Sequence, residues 1–382
     1  MRQTRMMIGA LIGGTMLATS SLATAETLTV VTAGDQNMVD YINEFLAPRF
    51  EAANPGSTVR ALGTGPGDAG SQMIFERLAA QKAAGAEDID VDVAVVHQKM
   101  AGQMVEDDLL QSYRDDIDTG DLVSRDTAEM ALGTPVEGYV MPMFHSQTAI
   151  AYNPALVPEP PQTYEDLVKW VQENPGQFGY NGIKGGMSGV SFVMGWMYAF
   201  TDQGEQLMNG PFDASTEAGW KDALAKLKAF NANVTFTPGN AGTLDMLNRG
   251  EIAMGPVWVD MFYTWQADGR LNPDLKLVLI GPGMPGQPMY YVIPKGAAHA
   301  DLAEKFIELA TSPEVQAEGI VERFNWYPGI DAQYVQPELD DATWQRLFAA
   351  IGPEDLAEKG KPFPIGPYFD AILEAYERQV TN

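Results

Sequence analysis

Three apolar runs in the first hundred residues each give way to a polar or glycine-rich loop and then to helical periodicity. Residues 28–33, Leu-Thr-Val-Val-Thr-Ala, read as a strand, and Met38, Tyr41, Ile42, Phe45 and Leu46 then recur at helical spacing. Residues 57–62 predict a second strand, and Ser71 to Ala84 a helix behind Gly63-Thr64-Gly65-Pro66-Gly67-Asp68-Ala69-Gly70. Residues 88–97 predict a third strand that ends in His97-Gln98. Repeated strand, loop and helix units specify an α/β fold with parallel strands. In such folds ligands bind beyond the carboxyl ends of strands, so the loops carrying Asp35, Gln36, Gly67, Asp68 and His97 are candidate site segments.

Two longer extended runs follow. Residues 136–153 form one, broken at Pro142, with Phe144, His145 and Gln147 as candidates to face a ligand. The other comprises residues 275–280 and 289–297, separated by the turn-rich Gly281-Pro282-Gly283-Met284-Pro285-Gly286-Gln287. Between them, residues 163–173 predict a helix capped by Thr163, residues 220–230 an amphipathic helix, and residues 243–250 a short helix closed by glycine. A short strand over residues 252–254 is then expected to break at Gly255-Pro256, leaving Trp258 and Asp260 where a helix begins. A core tryptophan is the competing reading of Trp258. The acidic Asp260 two residues on favours a site, because a carboxylate is rarely buried without a partner.

Composition narrows the class. The chain has 382 residues, enough for two domains, and no cysteine, which excludes disulfides and thiolate chemistry. Arg2 and Arg5, the apolar residues 6–18 and Ala23-Thr24-Ala25 have the form of a secretory signal cleaved after Ala25, and the apolar run is short and glycine-broken for a bilayer span. A periplasmic protein without membrane insertion is the expectation. Formal net charge is −27, which makes nucleic acid a poor partner.

Several chemical motifs fail on spacing. Gly65-Pro66-Gly67-Asp68-Ala69-Gly70 matches a dinucleotide fingerprint formally, but it follows the second strand rather than the first. The acidic alternation at 88–92 lacks the glycine of a calcium loop, and Gly186-Met187-Ser188-Gly189-Val190 lacks the last glycine of a nucleophile elbow. Ser188 remains a candidate hydroxyl for a ligand. No triad, acid pair or metal set has supporting spacing, so neither an enzyme nor a cofactor is expected, with an exported hydrolase as the rival class.

Gly250-Glu251-Ile252-Ala253-Met254 with the aromatic that follows, the 136–153 run ending in Tyr152-Asn153, the Thr163-Tyr164-Glu165-Asp166-Leu167 helix start and Ser312-Pro313-Glu314 together resemble the maltose-binding-like, family 1 extracellular solute-binding proteins of ABC importers. Pro161-Gln162-Thr163, Asn174-Pro175-Gly176 and the C-terminal helical segment place the nearest likeness with the binding component of a bacterial importer that has no firmly assigned ligand. The resemblance implies a two-lobe periplasmic binding protein fold, type II, with mixed sheets flanked by helices and a cleft at the hinge. It implies lobe 1 from 26–148 plus 287–325, lobe 2 from 149–286 plus part of 326–382, and Trp326 closing the cleft. A monomer that hands a small molecule to a membrane permease is expected. Trp258, Tyr290 and Phe144 beside Asp35, Asp260 and Gln36 suit a sugar or polyol, which is favoured, or a small organic cation such as a polyamine or thiamine-like compound. Ferric ion bound by Tyr290-Tyr291 is disfavoured because strand neighbours face opposite sides, and His97 with His145 is a thin zinc set.

Overall fold

The computed structural model describes residues 26–34, 36–65, 67–86 and 88–381. The signal segment and Asp35 therefore lie outside the described residues. Strand β1 (Glu26–Ala33) lies between β2 (Ser57–Gly65) and β3 (Val93–His97), both parallel to it. Every residue of β3 is buried, the pattern of a strand covered on both faces. It is shorter than the sequence predicts because the acidic stretch before it serves as a tie. The Asp92 carboxylate accepts the Thr29 N–H at 2.7 Å and the His299 N–H at 2.9 Å. Helix α1 (Gly67–Ala83) starts four residues earlier than its apolar pattern indicates.

Two long strands join this unit to the rest of the chain. Strand β4 (Met141–Tyr152) pairs through residues 148–152 with β5 (Met254–Trp258), and through 150–152 with β6 (Lys276–Val278). Its other half, residues 141–147, pairs with β7 (Met284–Pro294), whose far end pairs in turn with β3. The spatial order is β5-β4-β7-β3-β1-β2. Strand β8 (Tyr327–Pro328) adds to β4 opposite His145 and Phe144.

Two boundaries correct the sequence reading. The turn-rich 281–287 segment becomes strand from Met284, with Gly286 opposite Gln147. Gly255-Pro256 is likewise no turn but the middle of β5. A proline is tolerated there because β5 ends the sheet order and needs no N–H on its outer side. Gly255 is required because a Cβ would stand 2.3 Å from the Gly179 carbonyl oxygen. Helix α2 (Tyr164–Glu173) is capped as expected: Thr163 Oγ1 accepts the Asp166 N–H at 3.1 Å. Helix α3 (Met187–Phe200) is buried along nearly its whole length. Helix α4 (Gly239–Asn248) precedes β5, and helix α5 (Val259–Ala267) follows directly from it. Among the described residues no helix is long and apolar enough to cross a membrane.

Candidate functional site

A cavity of about 490 Å3 opens where β4 and β7 cross between the β1–β3 unit and the segment containing α3 to α5. Gly34 just after β1 and Gln36, Asn37 and Met38 in the short helix that follows line one side, and the end of β3 contributes His97. Phe144 and Ser146 come from β4, and Gln287 and Met289 from β7. Strand alternation selects these pairs, so residues 144 and 146 share the cavity face while 145 and 147 turn away. Across the cleft stand Met187, Asn240, Trp258, Asp260 and the α5 face of Met261, Thr264 and Trp265. Trp326 forms part of the wall.

Asp260 is the electrostatic focus. The Ser146 hydroxyl donates to its Oδ1, and the Trp326 indole and the backbone N–H groups of Asp260 and Met261 also favour its charge. Burial outweighs all of them and pushes the carboxyl up to about 6. Among the described residues no Lys or Arg forms an ion pair with it. The wall beside it is aromatic: Trp326 stacks between Phe144, at 4.1 Å between ring centroids, and Phe324, at 4.6 Å. Trp258, the last residue of β5 and the N-cap of α5, is 9% exposed and lines the cavity. Core and site are therefore not alternatives for this residue: most of the indole packs inward while the remainder faces the cleft.

His97 is held in place by Ser71, whose Oγ accepts the His97 backbone N–H at 3.0 Å and lies 3.0 Å from Nδ1. Burial lowers the imidazole below its usual value, against the opposing pull of Asp68, whose Oδ1 is 4.0 Å from Nδ1. Asp68, in the first turn of α1 next to Gly67, does not line the cavity. Asp35 is not described.

Four other residues singled out from sequence lie away from the cavity walls. His145 is on the opposite face of β4 from Phe144; burial and the nearby Arg125 depress it to about 3, so it stays neutral. Tyr290 is fully buried, its hydroxyl donating to the Thr127 carbonyl and accepting from Gln98 Nε2 at 3.3 Å. Tyr291 is also fully buried and packs edge-on to Phe306 at 6.4 Å. Tyr291 lies two residues beyond Met289 in β7, where the strand runs in regular register with β3 and away from the cavity wall; the irregularity in the β4–β7 pairing places its extra residue, Met143, in β4. Ser188 is fully buried and gives its hydroxyl to Asn240 Oδ1 at 2.8 Å. Among the described residues no group of three or more His, Cys, Asp or Glu has metal-binding geometry.

Sequence reasoning missed Ser146, Asn240, Trp265, Arg270 and Gln287. Ser146 and Gln287 carried a usable signal, being two positions from Phe144 and Met289. Arg270 lines the cavity with its guanidinium 3.7 Å from the Trp265 ring centroid.

A two-lobe α/β architecture with a polar and aromatic cleft at its strand crossings defines a periplasmic-type binding protein. A family model for bacterial extracellular solute-binding proteins matches residues 46–349, and the chain belongs to that family. A gamma-aminobutyric acid-binding protein of Pseudomonas aeruginosa is 26% identical over 168 residues, which is 44% of this chain and 44% of that protein. The alignment thus spans under half the length of the curated relative. A spermidine/putrescine ABC transporter substrate-binding protein of Streptococcus pneumoniae superposes with a TM-score of 0.66 at 16% identity, covering 93% of this chain and 99% of that one. Iron-bound HitA of Pseudomonas aeruginosa does so at 0.64 and 18% identity, covering 94% and 100%. At such identities the structural likeness establishes the fold alone.

Proposed function

We propose that this protein captures a small amine-bearing solute in the cleft and delivers it to the permease of an ABC importer. The observation that carries this reading is Asp260, a carboxylate in an aromatic-walled cavity whose partners are dipoles rather than a cation. A desolvated anion without a counter-charge gains most from a ligand that brings one, and the flanking aromatic rings add cation–π attraction. The net charge of −27 would also draw cations toward the cleft. Two of the relatives named above carry amines in their names, gamma-aminobutyric acid and spermidine/putrescine. A sugar or polyol, favoured on sequence alone, would use the same aromatic faces but would leave the carboxylate unneutralised.

In this reading residues 26–148 and 287–325 form one lobe, and residues 149–286 with part of 326–382 the other. β4 and β7 form the crossings. The solute bridges the lobes and biases the open–closed equilibrium toward the form the permease engages. A thermal-shift screen at pH 7.5 tests the ligand class. A primary amine at 100 times its Kd is expected to stabilise the protein by about 2.7 kcal/mol. Stabilisation by a sugar or polyol, with every amine silent, would withdraw the proposal.

A further inference from the structure

Asn240 is held in one orientation by donors that leave it no freedom to flip. The Ser188 backbone N–H reaches its Oδ1 at 3.3 Å, the Ser188 hydroxyl at 2.8 Å and Asn181 Nδ2 at 2.8 Å. A backbone N–H can only donate, so the atom it faces is the amide oxygen. Gly186 makes the cradle possible: it sits at φ +145°, and a Cβ there would lie 2.6 Å from that same oxygen. With Oδ1 saturated, the polar function left to Asn240 is its Nδ2 amide, a pair of donors with no acceptor among the described residues, in a residue that lines the cavity. A further donor shares the same walls, the guanidinium of Arg270, which pairs with no carboxylate among the described residues.

Asp260 and Asp268 line the cavity with carboxylates, while Asn240 and Arg270 line it with N–H groups, those of Arg270 cationic. We infer that the solute carries a carboxylate as well as its ammonium, and that Asn240 is a specificity-determining residue that donates to the carboxylate end. This rests on the amine reading above and narrows it from amines in general to zwitterionic amino acids. A plain diamine would place a second ammonium against these donors and leave them unsatisfied, which a polar site rejects strongly. Ser188 and Asn181 are positioning residues, acting on the ligand only through Asn240.

Asn240→Asp separates the donor from the scaffold. The substituted carboxylate keeps an oxygen for Ser188 and Asn181, so the fold is retained, but the cleft now meets an acceptor in place of the amide donor. Titration calorimetry on the mature protein would compare straight-chain ω-amino acids with diamines and amino alcohols of the same length. For the wild type, at least one ω-amino acid is expected to bind about tenfold or more tighter than its amino alcohol and its diamine. N240D is expected to lose about tenfold or more for that amino acid while binding the diamine no more weakly, and S188A to show a smaller loss of the same selectivity. Preference for the diamine or parity with the amino alcohol in the wild type, or an equal loss for amino acid and diamine in N240D, would overturn the inference while leaving the amine reading intact. Wild-type protein that binds none of the three probe classes would overturn both.

Discussion

Asp260→Asn is expected to weaken binding of an ammonium-bearing solute by about 100-fold or more, the scale of about 2–5 kcal/mol for losing one member of a desolvated charge pair. The same substitution should make the empty protein more stable at pH 7.5. Burial raises the Asp260 carboxyl to about 6, above the roughly 3.9 of an unfolded aspartate, so the folded state binds the proton more tightly than the unfolded one. The stability linked to that proton is fully present below about pH 4 and disappears as pH rises through about 6. At neutral pH the wild type therefore bears the cost of a desolvated charge, and the asparagine removes it. Affinity runs the other way. A cation binds the ionised form, so wild-type affinity should hold above about pH 7 and fall about tenfold per unit below 6, with a flat profile in the variant. Unchanged affinity in D260N, or an amine affinity that rises on acidification, would remove Asp260 from the site.

Trp326→Ala is the second large expected effect, and it is expected in stability as well as binding. The indole is 4% exposed, lies between two stacked rings and favours the charged form of Asp260. Its deletion should cost about 3–5 kcal/mol of unfolding free energy in chemical denaturation. Trp326→Phe separates the two contributions. It keeps an aromatic plate between Phe144 and Phe324, so most of the stability should return. Without the indole N–H the Asp260 carboxylate loses one stabilising dipole, and the acid limb of the binding profile should move to higher pH. A phenylalanine variant with the wild-type pH profile would show that the indole N–H does not act on Asp260.

Local periodicity carries the first three strands, the helices around them and the cap at Thr163, because those elements are decided by residues a few positions apart. Trp258 and Asp260 were read at the junction of a strand and a helix, where they stand, although the break expected at Gly255-Pro256 is in fact the middle of β5. What escaped was set by contacts distant along the chain. Asn240 looks like any loop asparagine until Ser188 and Asn181, 52 and 59 positions away, take its oxygen. Tyr290 and Tyr291 look like cleft aromatics until their packing with Gln98 and Phe306 places both in the interior. Phe144 and His145 could have been separated from strand alternation alone, since only one of two neighbours can face the cleft.

The pairing of β7 has a consequence for the order in which this molecule is assembled in time. Gln98 meets Tyr290 across 192 positions, and Gln147 meets Met284 across 137. Contacts so distant must wait for loop closure, and folding slows as they come to dominate. The helices and short strands between Tyr152 and Met284 can condense from near neighbours and thereby bring the two crossing strands together. In pulsed hydrogen exchange during refolding, amides within Met187–Phe200 are accordingly expected to gain protection before those of Tyr290 to Val292. Earlier protection of the β7 amides would show that the long-range ladder nucleates the fold instead of completing it.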